Sequence, residues 1–290
     1  MDIKYFDNSA TTKVKEEVLN AMLPFLSIEY GNPSSIYSIG RSAKRAIEEA
    51  RKSVASLINC KPEEIYFTSC GSESDNTALK GIADKYSKKG KHIITSKIEH
   101  PAILNSAQNL ERHGFGVTYV DVDEKGIINL DKLKNSIRRD TILISIMYAN
   151  NEIGTIQPIK QISEIAHKNN IIFHTDAVQA VGNIPIDVQK MGIDLLSMSG
   201  HKIYAPKGIG ALYVKKEIEF ERFIDGGHQE KNKRSGTENV AQIVGLGKAC
   251  RIAEKNLNVY QKKLKNLRDY CLEQMKEHNF KIHINGTMEQ

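Results

Sequence analysis

Between residues 65 and 214, short and almost continuously apolar runs alternate with segments of helical periodicity, which leaves few architectures open to the chain. IYFTS at 65–69, HIITS at 92–96, GVTYVDV at 116–122, ILISIMY at 142–148 and IIFHTDA at 171–177 read as strands. Helices are predicted from about Glu73, after Pro101, near 131–138 and over 158–169, and DLLSMS and GIGALYV carry the pattern to Val214. Strands that are apolar on both faces belong to a mostly parallel sheet flanked by helices on each side, the α/β class. Upstream, Ala43, Ala46, Ile47, Ala50, Val54, Leu57 and Ile58 form a helical stripe within 41–59 that must rest on a core. Downstream, Tyr260, Leu264, Leu267, Cys271 and Met275 predict a terminal helix, and KIHI at 281–284 predicts a strand before the hairpin signal Asn285-Gly286. A strand that opens a hairpin without its partner is an exposed edge, so the expectation is a chain cut inside a second, smaller domain.

Composition narrows the function classes. With 40% hydrophobic and 26% charged residues over 290 positions, the chain suits a globular protein with a sizeable core, not a disordered or collagen-like one. No apolar run approaches the roughly 18 residues of a membrane span. Asp2 and Asp7 stand where a signal peptide would be basic and then apolar, so a cytoplasmic protein without membrane contact is expected. Forty-one basic against 35 acidic residues give a net charge of +6, but the lysines are scattered, and no direct nucleic-acid binding is expected. Cys60, Cys70, Cys250 and Cys271 lie far apart with no CxxC spacing, which argues against both a disulfide framework and a structural zinc site.

Ligands of open parallel sheets bind beyond the carboxyl ends of the strands. Polar clusters follow the predicted strands at Ser69–Ser74, Glu99-His100, Asn150–Glu152, His174–Gln179 and Ser199–Lys202. Gly71 and Ser72 sit at a strand-to-helix turn, where free backbone N–H groups and the helix dipole suit a phosphate; Ser72 also suits an ordinary helix N-cap. Asp176 ends an apolar strand, so its carboxylate is either solvated at the strand end or buried against a cation. Lys202 alone would be a solvated surface charge. A pyridoxal phosphate enzyme needs a lysine for the Schiff base, an acid for the pyridine nitrogen and donors for the phosphate, and Lys202, Asp176 and Ser72 supply those three parts.

YFDNSATT at 5–12, GNPSS at 31–35, FTSCGSESDN at 67–76, EHPA at 99–102, NNEIGTIQPI at 150–159, HTDAVQAVG at 174–182, SGHKIYAPKGIGALYV at 199–214 and RSGTENV at 234–240 occur in this order. Through these motifs the chain resembles the NifS/IscS-type cysteine desulfurases of the class V aminotransferase superfamily, which are fold-type I pyridoxal phosphate enzymes. The resemblance implies an N-terminal arm at 1–14, a large cofactor-binding domain at 15–255 and the beginning of a truncated small domain at 256–290. It makes Lys202 the Schiff-base lysine and pairs Asp176 with the pyridine nitrogen. His100 stacks on the ring and joins in proton transfer, so Lys202 and His100 are the expected catalytic residues. Asn151 and Gln179 are implied at the ring's phenolic oxygen, and Gly71, Ser72, Ser199 and His201 at the phosphate. Thr237 of RSGT would reach the phosphate of a neighbouring subunit, which implies a homodimer. His100 could instead be a plain helix-entry residue, and Asn151 or Gln179 plain loop amides.

The implied reaction takes L-cysteine to L-alanine: a cysteine thiolate attacks the substrate sulfur, and the resulting persulfide goes to iron–sulfur scaffolds or tRNA-thiolation partners. A selenocysteine lyase, an aminotransferase of the same class and a non-catalytic paralogue that only binds partners are the competing readings. The family's sulfur-accepting cysteine and carboxylate-binding arginine lie in its C-terminal part, which this chain does not contain. Cys60, Cys250 and Cys271 are expected in packing positions. Cys70 stands where many relatives have Gly, at the phosphate end and not at the substrate sulfur. Two smaller departures are Ser72 in place of a frequent Thr, and His228 in a usually Gly-rich turn.

Overall fold

Strands with two apolar faces need cover on both, and the computed structural model, which describes residues 4–288, shows how it is supplied. The first three residues of the expected arm and the last two of the expected small-domain segment lie outside the described residues. β1 (Ile65–Thr68), β2 (His92–Ser96), β3 (Gly116–Val120), β4 (Thr141–Ser145), β5 (Ile172–Asp176), β6 (Leu195–Ser199) and β7 (Gly210–Val214) make one seven-stranded sheet in the order β1-β7-β6-β5-β4-β2-β3. β2 to β6 pair in parallel, whereas β7 runs antiparallel to both β6 and β1. β1 therefore points the same way as β6. All strands except β7 end on one side of the sheet, and that side carries the polar clusters.

On one face, Ile93, Leu143, Ile172, Leu195 and Leu212 pack against Ala78, Leu79 and Ile82 of the Gly71–Tyr86 helix and against Ile103 and Leu110 of the Pro101–Arg112 helix. On the other, Ile94, Ile144, Phe173 and Leu196 meet the Ser38–Ile58, Ile159–Lys168 and Val240–Glu277 helices through residues such as Ile47, Ile162 and Leu246. Each fully buried Ile, Leu or Phe contributes about 1.5–3 kcal/mol, so the two layers hold the sheet rigidly in register. The stripe predicted within 41–59 is the buried face of the Ser38–Ile58 helix, whose end is marked by Asn59 in the left-handed region at φ 56°.

The C-terminal expectations need correction. The last helix begins at Val240, not near Tyr260, and runs for 38 residues. Beyond about residue 253 it leaves the core: Leu264 and Leu267 are 51% and 54% exposed, and Cys271 is exposed instead of packed. KIHI at 281–284 forms no strand. A strand gains its hydrogen bonds only from a neighbour, and among the described residues none is paired to this segment.

Candidate active site

The strand ends and the segment around Asp7 enclose a cavity of about 510 Å³. Lys202, His100, Asp176, Gln179, Asn151, Ser199, His201, Gly71 and Ser72 all line it. Asp176 closes β5 at its floor, only 6% exposed, with Oδ1 accepting the Val178 N–H at 2.9 Å. Burial raises its carboxyl above the usual range, opposed by that N–H and by His100 and Lys202. Lys202 follows β6 on a short turn, and its Nζ donates to the carbonyls of Ser9 and Ala10, the latter at 3.0 Å. Burial pulls its ammonium below the usual lysine range, against the pull of Asp7 and Asp176.

His100 ends the β2 connection and caps the Pro101–Arg112 helix, its Nδ1 accepting the Ala102 N–H at 3.1 Å. That bond fixes the tautomer: a neutral His100 carries its proton on Nε2. The helix-entry role and a place in the cavity are thus compatible, because they use different ring nitrogens. The Gly71–Tyr86 helix, which also reaches the cavity, opens with Cys70 as an extended N-cap that makes no side-chain capping bond. Ser72 lies inside the first turn and is not the cap. The backbone needs glycine at 71, since a Cβ there would meet Val178 Cγ2 at 2.7 Å. Glu73 accepts the Ser69 N–H at 2.8 Å and Arg234 Nε at 2.8 Å, which ties this turn to the 234–237 loop. His201 bonds to Thr11 Oγ1 at 3.1 Å, and Gln179 Nε2 donates to the Ser9 carbonyl at 3.0 Å. The amide of Asn151 meets Glu152 at 2.8 Å.

Thr237 does not enter this cavity. It is exposed and lines a separate one with Arg234 and Glu238. Of the cysteines only Cys70 reaches the candidate site, its Sγ 3.7 Å from Ser69 Oγ. Cys60 and Cys250 are shielded enough that burial pushes both thiols up. His228, exposed, bonds to Asn232 Oδ1 at 2.7 Å beside Glu230, Lys231 and Asn232, three consecutive residues with positive φ.

Sequence reasoning passed over Asp7, Ser9 and Ala10 as lining residues, and Asp75 as a buried one. The first three belong to YFDNSATT, which precedes the first predicted strand and so follows no strand end. Asp75 had a legible signal: it shares the apolar stripe of Ala78, Leu79 and Ile82, where a carboxyl group is out of place.

A mostly parallel sheet with a lysine, a buried aspartate and a helix N-terminus around one cavity defines a class of enzyme scaffold, and the aminotransferase class-V family model matches residues 4–289. The chain belongs to that family. Within it, the chain is 56% identical to cysteine desulfurase IscS of Methanosarcina thermophila, over 97% of this chain and 70% of that protein. A solved structure described as a NifS-like protein superposes with a TM-score of 0.92 at 42% identity, covering 94% of this chain and 75% of the other. SspA in complex with cysteine matches with a TM-score of 0.84 at 45% identity, over 86% and 72% of the two chains.

Proposed function

We infer that this protein is a pyridoxal phosphate-dependent cysteine desulfurase that converts L-cysteine to L-alanine and passes the sulfur on as a persulfide. Iron–sulfur scaffolds or tRNA-thiolation proteins are the acceptors, and the working unit is a cytoplasmic homodimer. The observation that carries the reading is the meeting of Lys202, Asp176 and His100 in one cavity that the N-terminus of the Gly71–Tyr86 helix also lines. The relatives' names support the substrate.

The residues fit the cofactor. The cavity has the size of a small-molecule site, and Gly71 at the helix N-terminus carries no Cβ to crowd Val178, which lines the same cavity. Pyridoxal phosphate, when bound, supplies an electron sink that stabilises negative charge at the substrate α-carbon. Asp176 would hold the proton of the ring nitrogen. Lys202, its amine made easier to deprotonate by burial, would hold the cofactor through its aldehyde and is placed to carry the α-proton. His100, whose Nδ1 is occupied by the Ala102 N–H, would stack on the ring and offer Nε2 for proton exchange. The first-turn N–H groups of the Gly71–Tyr86 helix, Ser72, Ser199 and His201 would hold the phosphate. Gln179 and Asn151 orient the phenolic side. Thr237, exposed and outside its own cavity, serves a neighbouring subunit.

Borohydride reduction of protein loaded with pyridoxal phosphate is expected to leave the cofactor mass on the tryptic peptide containing Lys202, and Lys202→Ala to abolish it. Cofactor fixed equally well in Lys202→Ala sinks the assignment.

A further inference from the structure

The proposed function leaves one buried carboxyl group unused. Asp75 is 1% exposed on the sheet-facing side of the Gly71–Tyr86 helix, and its Oδ1 has no hydrogen-bond partner among the described residues. It lines the same cavity as Asp176, and polar atoms of Asp75, His100 and Asp176 lie within 4.8 Å of one another. The nearest ring is His174, which shares the β5 face with Asp176; its Nε2 is 3.8 Å from Asp75 Oδ1. Both its nitrogens are already engaged, by Ser145 Oγ at 2.8 Å and Ser197 Oγ at 3.0 Å. Burial holds that imidazole neutral, its pKa lowered to about 3.

The two carboxyl groups therefore have unequal surroundings. Asp176 has the Val178 N–H, His100 and Lys202. Burial first, and then the charge of Asp176, oppose the ionisation of Asp75, and the Ser197 hydroxyl favours it. Two buried carboxylates this close do not both ionise without a cation between them.

We propose that Asp75 is a positioning residue, an un-ionised carboxylic acid at neutral pH that leaves the pair's single negative charge on Asp176. This rests on the proposed function, which sets the ring nitrogen against Asp176. A second charge at Asp75 would drive Asp176 to take a proton from solvent, and a protonated Asp176 no longer stabilises a protonated ring. The neutral acid keeps Asp176 available as the acceptor.

The test begins with cofactor-free protein carrying 13C-labelled aspartate carboxyls, assigned by the resonances lost in Asp75→Asn and Asp176→Asn. At pH 7 the Asp75 carboxyl is expected to be protonated and that of Asp176 ionised. Asp75 ionised at pH 7 overturns the proposal. In loaded protein, Asp75→Asn exchanges one neutral group for another of the same shape. The visible band at pH 7 is expected to stay unchanged, while the alkaline transition that tracks the Asp75 resonance disappears. A band displaced at pH 7 in Asp75→Asn also overturns it, because a merely structural residue or an ionised one would be felt there. Equal far-ultraviolet circular dichroism of the two proteins controls for folding, and Asp75→Ser replaces the Asn variant if that one does not fold. Wild-type protein that takes up no pyridoxal phosphate contradicts the functional reading instead, and the carboxyl titration still decides the state of Asp75.

Discussion

Asp176 and Gln179 stand three residues apart at the same strand end, yet their surroundings set different outcomes for their loss. Asp176 is buried at the cavity floor, whereas Gln179 reaches across to the Ser9 carbonyl at the rim. An amide at 176 cannot hold a ring proton with a full charge. Asp176→Asn is therefore expected to slow α-proton exchange, followed by deuterium incorporation, on the order of hundredfold, equal to about 2.7 kcal/mol of barrier. Gln179→Ala is expected to cost much less. Equal, mild losses would mean that the ring lies elsewhere. Arg51 shows a charge used for structure. It is 4% exposed, and its guanidinium spans both Glu230 carboxylate oxygens at 2.7 and 2.8 Å while donating to the Ile65 carbonyl at 2.8 Å. Glu230 also accepts the Phe67 N–H at 2.9 Å, so the pair fastens the left-handed turn at 230–232 onto β1. Arg51→Met strands a buried carboxylate and is expected to cost about 3–5 kcal/mol in urea unfolding. A double variant, Arg51→Met with Glu230→Gln, should recover part of that; no recovery would put the cost in lost packing and not in the stranded charge.

The Ser38–Ile58 and Val240–Glu277 helices show how a small residue sets an element's position. A Cβ at Gly247 would stand 2.5 Å from Ala50 Cα, so the two backbones touch where both residues are small. Gly247→Ala gains helix propensity of at most about 1 kcal/mol, but the overlap forces the helices apart. A net destabilisation of about 1–3 kcal/mol is expected by thermal or urea unfolding; a stabilised variant would show that the helices part without cost. Elements of this kind divide into those that were legible and those that were not. β2, β4 and β5 announced themselves because burial on both faces leaves an unbroken apolar run, and the Ser38–Ile58 helix because one face carries its whole stripe. The direction of β7 was illegible, since an apolar strand reads alike either way. The start of the last helix was missed because Gly245 and Gly247 interrupt the apolar period at the close approach that places it. KIHI failed as a strand because alternation states a preference that only a partner can satisfy.

At the scale of the whole molecule, one sheet end gathers the groups that define the candidate site and also the ionisable groups whose burial ties stability to pH. The motifs singled out half of the lining residues, but no pattern announced Glu99 as buried. Its Oε1 accepts Ser96 Oγ at 2.6 Å and the Met147 N–H at 2.9 Å, while Oε2 has no partner among the described residues. Burial pushes its pKa up to about 8. An unfolded glutamate titrates near 4.3, so between roughly pH 4.3 and 8 the folded state holds one proton more than the unfolded state, and stability falls as pH rises. His174 acts in the opposite sense: neutral down to about pH 3 when folded, it makes stability fall as pH drops below its unfolded value near 6.5. Between about pH 4.3 and 6.5 the two slopes cancel, and above 6.5 that of Glu99 remains, with the raised carboxyl of Asp75 acting in the same direction. Unfolding free energy of the cofactor-free protein is thus expected to decline from pH 6.5 towards 8, with Glu99 contributing up to about 1.4 kcal/mol per pH unit. Glu99→Gln keeps an acceptor for Ser96 and Met147 and removes the titration, so it should take about one proton's worth out of that slope. The same slope in wild type and Glu99→Gln, measured by urea unfolding at pH 6.5, 7.2 and 8, would mean that Glu99 is already ionised in the folded protein, with water or a bound cation reaching Oε2.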